Sequence, residues 1–197
     1  AGFCLPYLSE ATVITVSSNA NSPGQYNNLQ TAIDSASAGD TLYVHGSSTS
    51  YGNITINKRL TLIGTGHNPN KANPIVSQIG NVYLDSVASA SGASGSRIAG
   101  FKLNRVYGYA PSGGTKNIFL SRNYFLSTGK NINVTSSGWI ITNNILQGEV
   151  VVNNHANIIV KNNIFSSASI STSNQSSVLL SNNIFLGTSA TCLTAIT

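Results

Sequence analysis

Along the second half of the chain one arrangement of apolar and polar positions recurs. Four segments align without gaps: Leu120-Ser-Arg-Asn123-Tyr-Phe125, Ile141-Thr-Asn-Asn144-Ile-Leu146, Val160-Lys-Asn-Asn163-Ile-Phe165 and Leu180-Ser-Asn-Asn183-Ile-Phe185. Their asparagines are spaced by 21, 19 and 20 residues, and a degenerate copy, Ile98-Ala-Gly-Phe101-Lys-Leu103, precedes them with Phe101 at the asparagine position. Two residues before each aliphatic position stands another large apolar side chain, Ile118, Trp139, Ile158 or Val178. Alternation with a period of two marks a strand with one face inward. A further short strand lies upstream in each repeat, at Ile132/Val134, Val150/Val152 and Ile170, with Gly, Ser and Asn between strands to turn the chain.

Repetition at a fixed period of about 20 residues is the signature of a solenoid. The fold expected is all-β: a right-handed parallel β-helix in which each asparagine sits at the same bend. Asparagine tolerates the left-handed backbone of a tight corner, and its amide both donates and accepts, so successive amides can form a ladder. The column Asn123, Asn144, Asn163, Asn183 is therefore read as structural, and Trp139, aligned with Ile118, Ile158 and Val178, as core.

The beginning of the chain is organised differently. Val13–Val16, Thr41–Val44, Asn53–Ile56 and Leu60–Gly64 read as strands, and Leu29, Ala32, Ile33 and Ala36 form a helical stripe. The short helix is expected to cover the open end of the solenoid, whose edge would otherwise invite pairing. One domain is expected over 12–197, with 12–40 as N-terminal cap and 41–197 as coils. Residues 1–11, apolar and ending Ser9-Glu10-Ala11, have the texture of a signal-peptide tail, cleaved or retained and packed.

With its passage Leu29-Gln-Thr-Ala-Ile33, Ala38-Gly-Asp40-Thr-Leu-Tyr-Val44 and Leu60-Thr-Leu-Ile-Gly64, the chain resembles the pectate-lyase-like superfamily of parallel β-helices, particularly exported bacterial members. The resemblance runs from Thr12 over nearly the whole chain. It implies the fold and a secreted or cell-surface location, and says little about activity, since one fold hosts lyases, hydrolases, adhesins and inert proteins.

Composition narrows the function. Only 8% of the 197 residues are charged, about a third of the usual share. The net charge of +5 arises from ten Lys and Arg against five acids, so it reflects scarce carboxylates and does not point to nucleic acid. Lyases that use calcium need clustered acids, and glycoside hydrolases need a carboxylate pair. The five acids here are Glu10, Asp34, Asp40, Asp85 and Glu149, and Asp85 and Glu149 fall about three coils apart. A calcium-independent lyase would have to use Lys102, Arg105 or Arg122 with Tyr107 or Tyr109. His45, His67 and His155 have no ligand spacing, and no metal or other cofactor is expected. Cys4 and Cys192, one near each end, are too far apart to join within one solenoid and are read as free thiols or as a bridge between molecules. No apolar stretch is long enough to span a membrane as a helix.

One feature of the outward positions is unusual. Between the inward pairs lie Phe119, Ile140, Ile159 and Leu179, all large and apolar, whereas the next outward column, Ser121, Thr142, Lys161 and Ser181, is polar. A stripe of this kind marks a covered surface. It is read as covered by the chain's own residues 1–8 or 65–95, as a lateral contact with another copy or a partner, or as a ligand groove. The function expected is a non-enzymatic, exported structural or adhesive protein that assembles with its own copies, laterally or end to end. The alternative is binding or cleavage of anionic polysaccharide at a basic groove around Arg105 and Arg122.

Overall fold

The chain forms an all-β parallel solenoid with one short helix near its N-terminus. The computed structural model describes residues 11–66, 75–85, 92–108, 114–153, 155–173 and 177–187, together with the backbone of Leu193–Ala195. Three parallel sheets run along it. Sheet one stacks eight strands: Val13–Val16, Thr41–Val44, Thr61–Ile63, Arg97–Ala99, Phe119–Ser121, Ile140–Thr142, Ile158–Lys161 and Val178–Ser181. Sheet two stacks five short ones, from Lys102–Leu103 to Ile184–Leu186, and sheet three stacks seven, from Ile54–Ile56 to Leu193–Ala195. The first strand, Val13–Val16, already pairs in parallel with Thr41–Val44, so the solenoid begins ahead of the helix and the cap is an insertion between its first two levels.

The repeat read from the sequence is in register. Leu120 pairs with Ile141, Ile141 with Val160 and Val160 with Leu180, and Ile118, Leu120, Trp139, Ile141, Ile158 and Val160 are buried. Val178 and Leu180 pack against the same core and are half-buried. Trp139 is fully buried, and its indole N–H donates to the Thr115 carbonyl at 2.7 Å, which satisfies the one polar atom of the ring.

The asparagine column forms a ladder with a definite direction. The Oδ1 of Asn144 accepts from the backbone N–H of Asn123 at 2.9 Å and from its Nδ2 at 3.2 Å. Asn163 does the same for Asn144, and Asn183 for Asn163. Each Nδ2 also donates backward to a sheet-one carbonyl of the preceding level: Ile98, Leu120, Ile141 and Val160. At the head of the ladder the Phe101 N–H donates to Asn123, although Phe101 offers no amide of its own. One level earlier the same position is Ser77, fully buried, whose hydroxyl donates to the Val44 carbonyl.

The ladder asparagines are not themselves the left-handed residues, contrary to expectation. Positive φ belongs to the residue before each: Gly100, Arg122, Asn143, Asn162 and Asn182, with φ of 78°, 54°, 57°, 56° and 51°. One residue makes the turn and the next secures it. A second left-handed column, Gly95, Asn117, Gly138 and Asn157, precedes four successive sheet-one strands, from Arg97–Ala99 to Ile158–Lys161. At Gly64 the backbone of one level meets the carbonyl of Gly100 in the next so closely that a β-carbon would collide with it.

The N-terminal edges are closed by side-chain amides. Thr55, on the edge strand of sheet three, donates its N–H to Gln30 Oε1 and accepts from Gln30 Nε2, so one glutamine of the helix stands in for a missing strand. On the edge of sheet one, Thr15 donates to Gln25 Oε1 and Tyr26 donates back to the Thr15 carbonyl. The helix Leu29–Ser35 is N-capped by Asn28, buries Leu29, Ala32 and Ile33, and has its last carbonyls (Ile33, Asp34, Ala36) bound by the Lys58 ammonium.

Asp40, at the helix exit, is buried, and its carboxylate accepts the N–H groups of Thr12 and Ser37 at 2.8 and 2.7 Å. Burial alone would raise its pKa, but these hydrogen bonds and the nearby Lys58 outweigh that and hold it below its ordinary value of 3.8. Because the folded value lies below the unfolded one, this stabilisation is complete above about pH 4 and is lost as pH falls through the folded value. Asp40→Asn is expected to be less stable than wild type at pH 7, with the gap narrowing in urea titrations carried down towards pH 3.

Replacing Asn144 by Ala strands the Asn123 backbone N–H, one hydrogen of its Nδ2 and the Leu120 carbonyl inside the core, while the Asn163 oxygen keeps the Asn144 backbone N–H. At ~1–3 kcal/mol for each buried unpaired group, partly recovered by relaxation, the expected loss is about 3 kcal/mol in equilibrium urea unfolding. The same change at half-buried Asn183 is expected to cost clearly less.

Candidate functional site

The apolar stripe exists in the register read from the sequence. Phe119, Ile140, Ile159 and Leu179 are successive Cα partners on the outer face of sheet one. The first three are half-buried by their own stacking, and Leu179 is 61% exposed. One level above, Arg97 lays its guanidinium over the Phe119 ring at 4.8 Å, giving the stripe a charged end. Of the segments expected as a cover, residues 75–85 instead build sheet three and its approach, and residues 1–8 lie outside the described residues. The adjacent outward column differs from expectation at two positions: Ser121 and Thr142 are buried, not solvated, while Lys161 is exposed.

Arg105 and Arg122 occupy different faces. Arg105 is on the outer face of sheet three, where it pairs with Asn81. Its Nη1 donates to the Tyr107 hydroxyl at 2.7 Å and its Nε to Ser127 Oγ at 2.9 Å, which locks the guanidinium in one orientation. Tyr107 stacks on Tyr83, ring centroids 5.7 Å apart and planes 13° from parallel, and Asn81 donates to the Tyr83 hydroxyl. An open cavity of about 440 Å³ lies beside them, lined by Asn81, Asn104, Arg105, Leu126, Ser127 and Thr128.

Arg122 follows the sheet-one strand Phe119–Ser121 at the ladder corner. It lines a cavity of about 320 Å³ with Tyr43, Ile63, Gly64, Thr65, Gly66, Ala99 and Gly100, none of which borders the Arg105 cavity. A neighbouring cavity of about 390 Å³ shares Tyr43, Gly64 and Thr65 and extends to Ser17, Asn19, His45 and Ile75. The single basic groove expected around Arg105 and Arg122 is thus two separate places. The lyase grouping comes together only at Arg105 with Tyr107, and Tyr109 lies outside the described residues.

Among the described residues that line these three cavities there is no Asp or Glu. Asp34 accepts from Gln30 on the helix, Asp40 is structural, and Glu149 accepts from Ser171. Asp85, just after the sheet-three strand Asn81–Leu84, and Glu149, on the strand Glu149–Asn153, lie three levels apart. No group of three metal-binding side chains occurs among the described residues. His45 lines the cavity of about 390 Å³, and burial lowers the pKa of His155. His67, Cys4, Cys192 and Glu10 lie outside the described residues.

Sequence reasoning missed Tyr43 and Tyr83, yet both were accessible to it. Each is the outward residue of an alternating strand, in Thr-Leu-Tyr-Val and Asn-Val-Tyr-Leu. It also missed Asn131, fully buried at a bulge, which donates to the Asn104 and Ser127 carbonyls and accepts from Gly148 N–H. A bulge breaks the alternation on which the reading relied.

Left-handed backbone suits Asn and Gly and disfavours a long side chain. Arg122→Asn is therefore expected to raise stability by about 0.5–1 kcal/mol in chemical denaturation; a lowered midpoint would contradict this account of the corner. No protein-family model, curated protein or solved structure matches the chain.

Proposed function

We propose that this chain is an exported, non-enzymatic structural or adhesive β-helix, of the pectate-lyase-like kind, that packs sideways against other copies of itself at a bacterial surface. The observation that carries this reading is the outward stack Phe119–Ile140–Ile159–Leu179, a continuous apolar column on the outer face of a parallel sheet. Outward positions of a solvated strand have no reason to be large and apolar over four successive levels. That the described residues of the cavity walls include no acid favours binding over hydrolysis.

The N-terminal edges disfavour end-to-end stacking through that face. Gln30 and Gln25 already occupy the hydrogen-bonding groups that a second molecule would need. Lateral contact through the stripe is therefore the mode this reading adopts.

A second reading, glycan binding, is favoured by the Tyr83–Tyr107 stack with its locked Arg105. Exposed tyrosine faces and fixed polar donors are the groups a sugar ring requires.

Light scattering on the purified chain is expected to show concentration-dependent association. The double change Ile140→Ser, Ile159→Ser is expected to leave the circular dichroism of the solenoid intact and yield monomers. A wild-type chain that stays monomeric at high concentration would sink the lateral-packing reading.

A further inference from the structure

Two tyrosines of sheet three stand one above the other. Tyr83, on the strand Asn81–Leu84, and Tyr107, on the strand Arg105–Gly108, are Cα partners in parallel register. Their neighbours Val82, Leu84 and Val106 are buried, so both phenols project from the outer face. The ring centroids are 5.7 Å apart with planes 13° from parallel, within the range of an offset stack. Tyr83 is 38% exposed and so within reach of solutes.

The polar neighbours fix this arrangement and leave one atom uncommitted. The Tyr83 hydroxyl oxygen accepts from Asn81 Nδ2 at 3.3 Å, and that of Tyr107 accepts from Arg105 Nη1 at 2.7 Å. Asn81 and Arg105 are themselves Cα partners, and Ser127 pins Arg105 further. Both oxygens are therefore held toward the same column, with the carbons ortho to them along one edge of the stack. In each bond the phenolic oxygen is the acceptor, so neither hydroxyl hydrogen is used in it.

Rings placed in this way are arranged for oxidative coupling. A phenol that loses one electron and its hydroxyl proton becomes a phenoxyl radical, with unpaired spin on the oxygen and the ortho carbons. Two such radicals in contact pair their electrons in a bond between ortho carbons. Each of those carbons then releases its hydrogen as a proton and each oxygen takes one up, which restores both aromatic rings. Two hydrogen atoms leave in all. Hydrogen peroxide, acting through a haem peroxidase, accepts them as its O–O bond breaks and two waters form. Because the rings are held together in one chain, coupling needs no encounter between molecules.

We propose that Tyr83 and Tyr107 are a modification site, at which a peroxide-fed haem peroxidase forms a dityrosine bond within one chain and joins two neighbouring levels of sheet three. A cross-link between positions distant in sequence restricts the unfolded chain and so stabilises the fold. The site goes beyond lateral packing and does not depend on it, since the apolar stripe belongs to sheet one. Coupling engages the edges of the rings, whereas a stacked sugar would engage a face.

The test treats the dilute purified chain with hydrogen peroxide and a haem peroxidase, then reads dityrosine fluorescence, intact mass and a peptide map. Wild type is expected to remain a monomer, to lose two hydrogens in mass and to yield a peptide pair joined through Tyr83 and Tyr107. The treated monomer is also expected to unfold at a higher urea concentration than the untreated one. Tyr83→Phe and Tyr107→Phe keep the ring and remove the phenol, and each is expected to lower the monomer's dityrosine fluorescence about ten-fold or more. Tyr43→Phe is expected to leave it unchanged. An unchanged monomer mass, dityrosine confined to cross-linked dimers, or a monomer signal that survives either Tyr83→Phe or Tyr107→Phe would overturn the proposal. Association of the untreated chain is read separately by scattering, so failure here and failure of lateral packing are distinguishable.

Discussion

A solenoid must turn a corner once per coil without stranding backbone amides in its interior. Between sheets one and two this chain does so with two adjacent residues that divide the work. The first adopts left-handed backbone, at Arg122, Asn143, Asn162 and Asn182, and reverses the direction of the strand. The second turns its side-chain amide inward: that of Asn144 accepts two donors from the level before, donates one hydrogen bond back to a carbonyl of that level and one forward to the next asparagine. The amides of the column are thereby paired, while the buried hydroxyl of Thr142 beside it has no partner, and each level is tied to the one before it. The stacked cores on either side, including Trp139 and Phe165, inherit their register from this column.

A stack of parallel strands also has ends, and the N-terminal end is treated as a chemical problem. Gln30 supplies an acceptor and a donor to Thr55 as a neighbouring strand would, and Gln25 with Tyr26 serves Thr15 similarly. The helix that carries Gln30 is only seven residues long and too short to persist alone. It holds because Asn28 caps one end, Lys58 binds the other and Leu29, Ala32 and Ile33 are buried beneath it. Closure of this face removes its edge strands as a site of pairing.

The sides of the solenoid are specialised. Sheet one shows an apolar column ending in the Arg97–Phe119 contact, together with the Tyr43–Arg122 cavity near its N-terminal levels. Sheet three shows the Tyr83–Tyr107 stack with Arg105. In a chain with so few charges, a cation placed beside an exposed tyrosine dominates its local field, because few carboxylates are near enough to offset it. The two arginines act in contrasting ways. Arg105 is held by Tyr107 and Ser127, while Arg122 is held by nothing described and sits in strained backbone.

The amino-acid sequence determined the coil, its period, the inward and outward faces, the core position of Trp139 and the stripe, because a period-two pattern and a repeated asparagine are local properties that any stretch of chain carries with it. Phe101 could be placed at the ladder position for the same reason. The tertiary structure decided what no local pattern holds. It assigned left-handed backbone to the residue before each asparagine, buried Ser121 and Thr142, folded Asn131 into a bulge and set Arg105 and Arg122 on different faces. The physical reason is that each of these depends on which atoms lie one level above or below. That distance of ~4.8 Å in space corresponds to about twenty residues in sequence, and insertions such as the one after Gly66 change the count from one level to the next.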